Sequence, residues 1–123
     1  MSLDVRGSNN DNGINEVVEL FNTKNYKGAI DLLGSIDIPI EHEEQLLYLK
    51  GISLLSIDQT SNARSTLNEL IRKNSNFKDD ASWYIALSHL KDGDIEASRT
   101  ILKNLPPDYI YAEDVSKILK STE

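Results

Sequence analysis

The chain has 123 residues, which suits a single domain with its own core. It has no cysteine, which excludes disulfides, thiol nucleophiles and cysteine-ligated metal centres. Thirteen basic against twenty acidic side chains give a net charge of -7, the wrong sign for binding nucleic acid or anionic lipid. No apolar run reaches the ~20 residues of a membrane span, so we expect a soluble domain, with the cytoplasm slightly favoured as its compartment.

The chain divides into a polar start and a helical remainder. Residues 1–13 are predicted to be a flexible leader, of the kind that ends a linker in a larger protein. Residues 14–123 are predicted to form one domain, because apolar residues recur at helical spacing and no strand-like alternation persists. Helices are predicted near 14–23, 26–35, 41–57, 60–73, 79–92, 94–104 and 109–121.

Three segments repeat at nearly constant spacing: NYKGAIDLLGSI (25–36), TSNARSTLNELI (60–71) and DIEASRTILKNL (94–105). Aligned, they place small residues 34 and 35 residues apart, at Ala29, Ala63 and Ser98. Leucines follow four residues later, at Leu33, Leu67 and Leu102, and twelve residues before each small position stand Val17, Gly51 and Ala86. Small residues on both helices of a pair allow close approach, so the pattern predicts stacked helical hairpins.

A family resemblance is found in two stretches, YLKGISLLSIDQTSNARSTLNELI and WYIALSHLKDGDIEASRTILKNL. Each is similar to a tetratricopeptide repeat, a first helix, a tight turn and a second helix, and the pattern covers roughly residues 14–105. The resemblance implies an all-α fold, a right-handed α-solenoid of about three helix-turn-helix repeats whose first helices line a concave face. Three positions depart from the family: Val17 and Ser98 replace small residues or alanine, and Asp58 stands where glycine is common.

The repeats are expected near 14–39, 41–74 and 79–106, closed by a capping helix at 109–121. Open-ended helical stacks need such a lid. Asp108, which follows two prolines, is predicted to be the N-cap of the capping helix. Its inner stripe is predicted to be Ile110, Val115, Ile118 and Leu119.

The candidate functional surface is aromatic and lies on the first helices. The predicted partner-binding residues are Tyr48, Ile52, Leu55, Trp83, Tyr84 and Leu87. Tyrosine and tryptophan bury a large area while keeping one polar end, which makes them common anchors in recognition sites. For Trp83 the alternative is packing between repeats, since aromatic residues at helical spacing usually belong to the core.

The resemblance also bears on the kind of ligand. Some tetratricopeptide repeat proteins grip the terminal carboxylate of a peptide through Lys, Asn and Arg on the first helices. The corresponding stretches here carry Ile14, Val18, Leu49, Asp80 and Tyr84. The resemblance therefore implies an apolar or basic ligand, with an acidic rim that favours Lys or Arg.

A histidine beside acids and serines raises the question of catalysis at residues 83–98. Ser88 adjoins His89 in sequence and so lies about 100° from it round a helix, which does not form a catalytic triad. We interpret His89 as a partly buried structural residue. Gly93 is predicted to end one helix in a left-handed turn, and Asp94 to cap the next.

Two further stretches suggest metal binding. His42 lies among Glu41, Glu43 and Glu44, where the acids favour a helix N-terminus. SNNDNGINEVVE (8–19) approaches the spacing of a calcium loop but has one carboxylate among the matched positions. HExxH, GxSxG and P-loop motifs are absent. We predict no catalytic residue, no metal and no cofactor.

The predicted function is a non-catalytic protein-interaction module that binds a peptide or helix of a partner on the concave face. Nucleic acid and direct membrane contact are not expected. One alternative is a structural or self-associating module, a homodimer, within a larger and membrane-anchored protein. A more remote alternative is a metal-dependent enzyme that uses His89 or His42.

Overall fold

The computed structural model describes residues 13–123, so the predicted leader and most of the calcium-loop pattern lie outside the described residues. The described part of the chain folds into seven α-helices with no strand, which confirms the predicted all-α helical repeat. The helices are α1 (Ile14–Asn22), α2 (Tyr26–Leu33), α3 (Glu43–Ser56), α4 (Thr60–Arg72), α5 (Lys78–Lys91), α6 (Ile95–Lys103) and α7 (Ala112–Ser121), with a 3-10 turn at Ile40–His42. None of these helices is long and apolar enough to cross a membrane.

The turn inside each helical hairpin has one geometry that recurs three times. Lys24, Asp58 and Gly93 occupy equivalent positions and have left-handed backbones, with φ of 67°, 70° and 85°. In each turn the next N–H donates to the carbonyl five residues earlier, at 2.8, 2.9 and 2.8 Å. These hydrogen bonds satisfy the carbonyls at the helix end. The predicted left-handed turn at Gly93 is confirmed, and the same turn forms without glycine at the other two positions.

Small residues bring the paired helices close together, as predicted. Ala29, Ala63 and Ser98 have no exposed surface. A Cβ atom added at Gly51 would overlap the side chain of Leu67, so α3 and α4 approach too closely for a larger residue there. This close approach is the feature that fixes each hairpin.

The core runs along the stack as three successive clusters. The first joins α1, α2 and α3, and its members are Ile14, Val17, Ala29, Leu33, Leu46 and Leu49. The second joins α4 and α5 through Leu67, Leu70, Ala81 and Ile85. The third joins α5, α6 and α7 through Trp83, Ala86, Leu102 and Val115. Each cluster is built from neighbouring helices, the arrangement typical of repeat proteins.

An arginine on the second helix of one hairpin reaches the first helix of the next. Arg64 donates from Nη1 to Ser88 Oγ at 3.1 Å and so links α4 to α5. Arg99, which lies 35 residues later, donates from Nη1 to Thr122 Oγ1 at 2.6 Å and links α6 to the end of α7. The acceptors are 34 residues apart. α7 therefore lies beside α6 in the register of a further first helix, although it packs on α6 less extensively than α5 packs on α4.

The capping helix begins later than predicted. α7 starts at Ala112 with Tyr111 as its N-cap, so the prediction that Asp108 is the N-cap is wrong. Two tight turns precede the helix, closed by hydrogen bonds from Tyr109 N to Pro106 O (3.0 Å) and from Ala112 N to Tyr109 O (2.9 Å). Asp108 lies within the first of these turns and is exposed.

The same turns change the inner face of the capping segment. Tyr109 and Tyr111 both contact the ring of Trp83, whereas Ile110 between them is 78% exposed. The prediction that Ile110 belongs to the inner stripe is therefore wrong, because Ile110 lies in the second tight turn, outside the helix, and its side chain is exposed. The other predicted members, Val115, Ile118 and Leu119, pack against the third cluster.

The variant Gly51→Ala tests the close approach of α3 and α4. Alanine is about 1 kcal/mol more favourable than glycine inside a helix. We nevertheless expect the free energy of unfolding to fall by about 1–3 kcal/mol, because the added methyl group meets Leu67. Chemical denaturation followed by circular dichroism measures the change. The control is Gly34→Ala, where the nearest atom is Asp31 O at 3.5 Å, and little change is expected. Equal behaviour of the two variants would contradict the close approach.

A second variant tests the serine that replaces alanine in the third hairpin. The Oγ atom of Ser98 is buried and has no hydrogen-bond partner among the described residues. Ser98→Ala is therefore expected to raise the free energy of unfolding by about 1 kcal/mol, because an unsatisfied hydroxyl is removed. Ser88→Ala is the matched control, since Ser88 Oγ donates to Ile85 O at 2.6 Å and accepts from Arg64. That control should lose about 1 kcal/mol. A loss of stability in both variants would argue against the assignment.

Candidate partner-binding surface

Two aromatic pairs with the same repeat register lie beside the first helices. Tyr48 of α3 stacks on Phe77, with ring centroids 4.9 Å apart and an interplanar angle of 25°. Trp83 of α5 packs on Tyr111 in a similar way, at 5.3 Å and 32°. Phe77 and Tyr111 are the N-cap residues of α5 and α7. The residue that begins one first helix thus covers an aromatic ring on the preceding first helix.

Two more tyrosines each extend one of these pairs, and Tyr84 also packs against the core cluster that contains Trp83, which places the two groups of rings side by side. Tyr84 packs edge-on against Tyr48, with centroids 6.1 Å apart. Tyr109 packs edge-on against Tyr111 at 5.7 Å and lies 6.4 Å from Trp83. We call the combined set the aromatic surface: Tyr48, Phe77, Trp83, Tyr84, Tyr109 and Tyr111. It runs from α3 across α5 to the loop before α7.

The structure brings together three of the predicted residues directly. Tyr48, Trp83 and Tyr84 belong to the aromatic surface. Ile52 and Leu55 follow Tyr48 by one and two turns of α3 and are partly exposed. Leu87 is partly exposed and packs against the third core cluster. The six predicted residues therefore lie on two first helices, with apolar area beside the rings.

Burial differs within the aromatic surface. Trp83 is only 8% exposed and packs among Ala86, Leu102 and Val115, so most of its ring lies inside the molecule. Tyr48 and Tyr84 are half-buried and keep part of their rings accessible. Trp83 thus packs beneath the aromatic surface as part of the core, and Tyr48 and Tyr84 are the residues that a ligand could contact.

Sequence reasoning missed Phe77, Tyr109 and Tyr111. Phe77 lies in the connection between two predicted helices, and Tyr109 and Tyr111 lie at the start of the predicted capping helix. A signal existed, because Phe77 and Tyr111 are 34 residues apart and each precedes a first helix. Extending the repeat alignment past residue 105 would have paired them. The position of Tyr109 depends on the turns after Pro106, which spacing alone does not specify.

A carboxylate lies against the phenols. Tyr109 Oη donates to Asp80 Oδ1 at 2.6 Å. Burial raises the pKa of the Tyr48, Tyr84 and Tyr109 phenols, and the bond to Asp80 raises the pKa of Tyr109 further. The surface therefore combines neutral hydroxyl groups, aromatic rings and an acidic group at its edge.

The polar residues after Trp83 are structural. Asp94 caps α6 by accepting from Ala97 N at 3.2 Å, which confirms the predicted N-cap. Asp92 accepts from Arg64 Nη1 at 2.9 Å, and this hydrogen bond holds the pKa of its carboxyl group below the usual range. His89 is partly buried, with Nδ1 3.9 Å from Asp94 Oδ2. These contacts join helix ends to each other.

Metal binding has little support in this part of the chain. Within residues 13–123 no group of three His, Asp or Glu side chains is placed to hold a metal ion. His42 belongs to the 3-10 turn before α3. Ser8, Asn10 and Asn12 of the calcium-loop pattern lie outside the described residues.

The buried phenols predict a specific alkaline behaviour. A phenol whose pKa is raised by folding stabilises the folded state fully below its ordinary value near 10, and this contribution is lost as the pH rises past that value. We therefore expect the free energy of unfolding to fall as the pH rises above about 10, and the phenolate absorbance of the folded protein to appear only at higher pH than that of free tyrosine. Asp80→Asn should advance the ionisation of Tyr109 by removing the adjacent negative charge. Ordinary ionisation of every tyrosine in the folded protein would contradict this prediction.

Comparison with known proteins adds one finding. Residues 45–76 match the family model described as tetratricopeptide repeat. The match covers most of α3 and all of α4, the middle hairpin. No curated protein matches the chain, and no solved structure matches it. The turn and the spacing of the matched hairpin recur on both sides of it, so the described residues form a helical repeat whose middle hairpin is similar to a tetratricopeptide repeat.

Proposed function

We propose that this protein binds a helix or an extended peptide of a partner protein across the aromatic surface, without catalysing a reaction. Tetratricopeptide repeats are typically non-catalytic modules that bind other proteins. The single observation that carries the finer proposal is the pair of neighbouring ring groups between α3 and the loop before α7, with Tyr48 and Tyr84 partly accessible.

The chemistry of the array suits an amphipathic ligand. Rings supply large apolar area at low cost in side-chain entropy, and hydroxyl groups supply hydrogen bonds at the rim. Asp79 and Asp80 lie in the first turn of α5, beside these rings. A ligand with an apolar face and a flanking Lys or Arg would match both features.

The six predicted residues have different roles in this proposal. Tyr48 and Tyr84 are the anchors, and Ile52, Leu55 and Leu87 extend the apolar contact. Trp83 acts chiefly by holding the rings in place, since it is 8% exposed. The rigid base limits the conformational freedom that the surface would lose on binding.

We also propose the division of the domain. The repeats lie near 14–39, 41–74 and 79–106, and the segment that contains α7 closes the last of them. The equivalent turns at Lys24, Asp58 and Gly93 support three hairpins in register. The peptide would then span the second and third repeats.

The test compares the wild type with Tyr48→Ala/Tyr84→Ala in quantitative affinity capture from a lysate of the source organism. Each lost anchor is expected to weaken partner binding roughly 5- to 30-fold. The matched control is Ile71→Ala/Ile95→Ala, since these residues are each 37% exposed on second helices. Both variants are first checked for helicity by circular dichroism. Equal capture of the same protein by both variants would rule out the aromatic surface as its binding site.

A further inference from the structure

The junction between α6 and α7 has an open groove whose equivalent one repeat earlier is closed. At the earlier junction Leu67, Leu70, Ala81 and Ile85 are buried, and Ile101 from α6 packs against them. The repeat register maps these four positions onto Leu102, Leu105, Val115 and Leu119. Those four residues line a groove of about 400 Å³.

The residues that line the groove are more exposed than their equivalents at the earlier junction. Leu70 and Ile85 at the earlier junction are 0% and 5% exposed. Their equivalents Leu105 and Leu119 are only partly buried: α7 packs less extensively on α6, and no helix of residues 13–123 covers the junction as α6 covers the earlier one. The groove is thus shaped for a helix that presents one branched aliphatic side chain, as α6 presents Ile101.

The charge of the groove differs from that of the closed junction. Lys103 and Lys120 line it, where Asn68 and Ala86 stand one repeat earlier. No ion pair between described residues uses either lysine. Glu123 also lines the groove, at one end. Although the chain as a whole has a charge of -7, two unpaired ammonium groups at the edge of an apolar groove locally favour an acidic ligand.

Lys120 restricts how an occupant can lie. Gly51 faces Leu67, and by register Ala86 faces Leu102, which brings α6 close to α5. A lysine at the equivalent position of α7 prevents that apolar close approach. A docked helix must therefore place a carboxylate, not a leucine, opposite Lys120.

We propose that the α6–α7 groove binds an acidic amphipathic helix of a partner protein, which inserts an aliphatic side chain among Leu105, Val115 and Leu119 and pairs a carboxylate with Lys120. This site is separate from the aromatic surface and does not depend on its function. The occupant is a partner helix because the groove has the shape of a helix-binding junction and its two lysines, which form no ion pair among the described residues, would pair with carboxylates on such a helix.

The experiment uses a designed peptide as its probe. The peptide has the sequence of residues 94–105 with Leu102→Glu, keeps Ile101 as the aliphatic anchor, and is stapled between the exposed positions Glu96 and Thr100. Binding of the fluorescent peptide to the full chain is measured by anisotropy. A second peptide has Leu102→Lys instead.

The charge swap decides the proposal. Lys120→Glu should weaken binding of the acidic peptide about three- to tenfold and should strengthen binding of the basic peptide. Lys117→Glu, which changes an exposed α7 residue outside the groove, should leave both unchanged. Leu119→Asp should abolish binding, and Tyr48→Ala/Tyr84→Ala should leave it intact.

Other results overturn the proposal. Absence of peptide binding to the wild type, or equal effects of Lys120→Glu and Lys117→Glu, would show that the groove does not select an acidic helix. Sedimentation is measured in parallel. A dimer of the wild type that Leu119→Asp dissociates would identify a second copy of the chain as the occupant and would also overturn the partner-helix assignment.

Discussion

The close approach of two helices at a small residue is the contact on which this structure depends. At Gly51 the backbone of α3 lies directly against the side chain of Leu67, and Ala86 occupies the same register on α5. A hairpin held this tightly presents two faces at a fixed angle. Stacking of hairpins then follows, because each pair can bury its apolar faces only against its neighbours. The left-handed turns keep the two helices of each pair aligned.

The aromatic surface is a consequence of that stacking. Successive first helices lie side by side, so the residue that begins one helix falls over a ring of the helix before it. This happens at Phe77 on Tyr48 and again at Tyr111 on Trp83. Phe77 and Tyr111 thereby each cover one of these rings, of which Tyr48 stays partly exposed and Trp83 is almost completely buried. These two stacked pairs follow from the repeat itself, whereas Tyr109 is placed by the turns after Pro106.

Much of the fold could be predicted because its rules are local. Helical periodicity and the spacing of small residues located all seven helices to within three residues at each end. The N-cap at Asp94 and the turn at Gly93 follow from residue type alone. The capping segment could not be predicted in the same way. There the path after Pro106 is determined by contacts of Tyr109 and Tyr111 with Trp83, which are distant in sequence.

The candidate surface was predictable only in part for a related reason. Helical spacing places Tyr48 and Tyr84 on first helices, but it does not say which ring is covered. Burial of Trp83 depends on where α7 docks, and that docking depends on Arg99. Tertiary contacts therefore decide which aromatic residues are buried under the surface and which stay accessible to a ligand.

The arginine links between hairpins make the junctions unequal. Ile30 occupies the register of Arg64 and Arg99, so the first junction has no such link. There Ser53, the equivalent of Ser88, keeps a buried hydroxyl group without a partner among the described residues. In a protein stabilised only by neighbouring units, the weakest junction opens first. Amide hydrogens at the α1–α2 end should therefore exchange with solvent sooner than those of α5, while the middle hairpin, which carries Tyr48, stays folded.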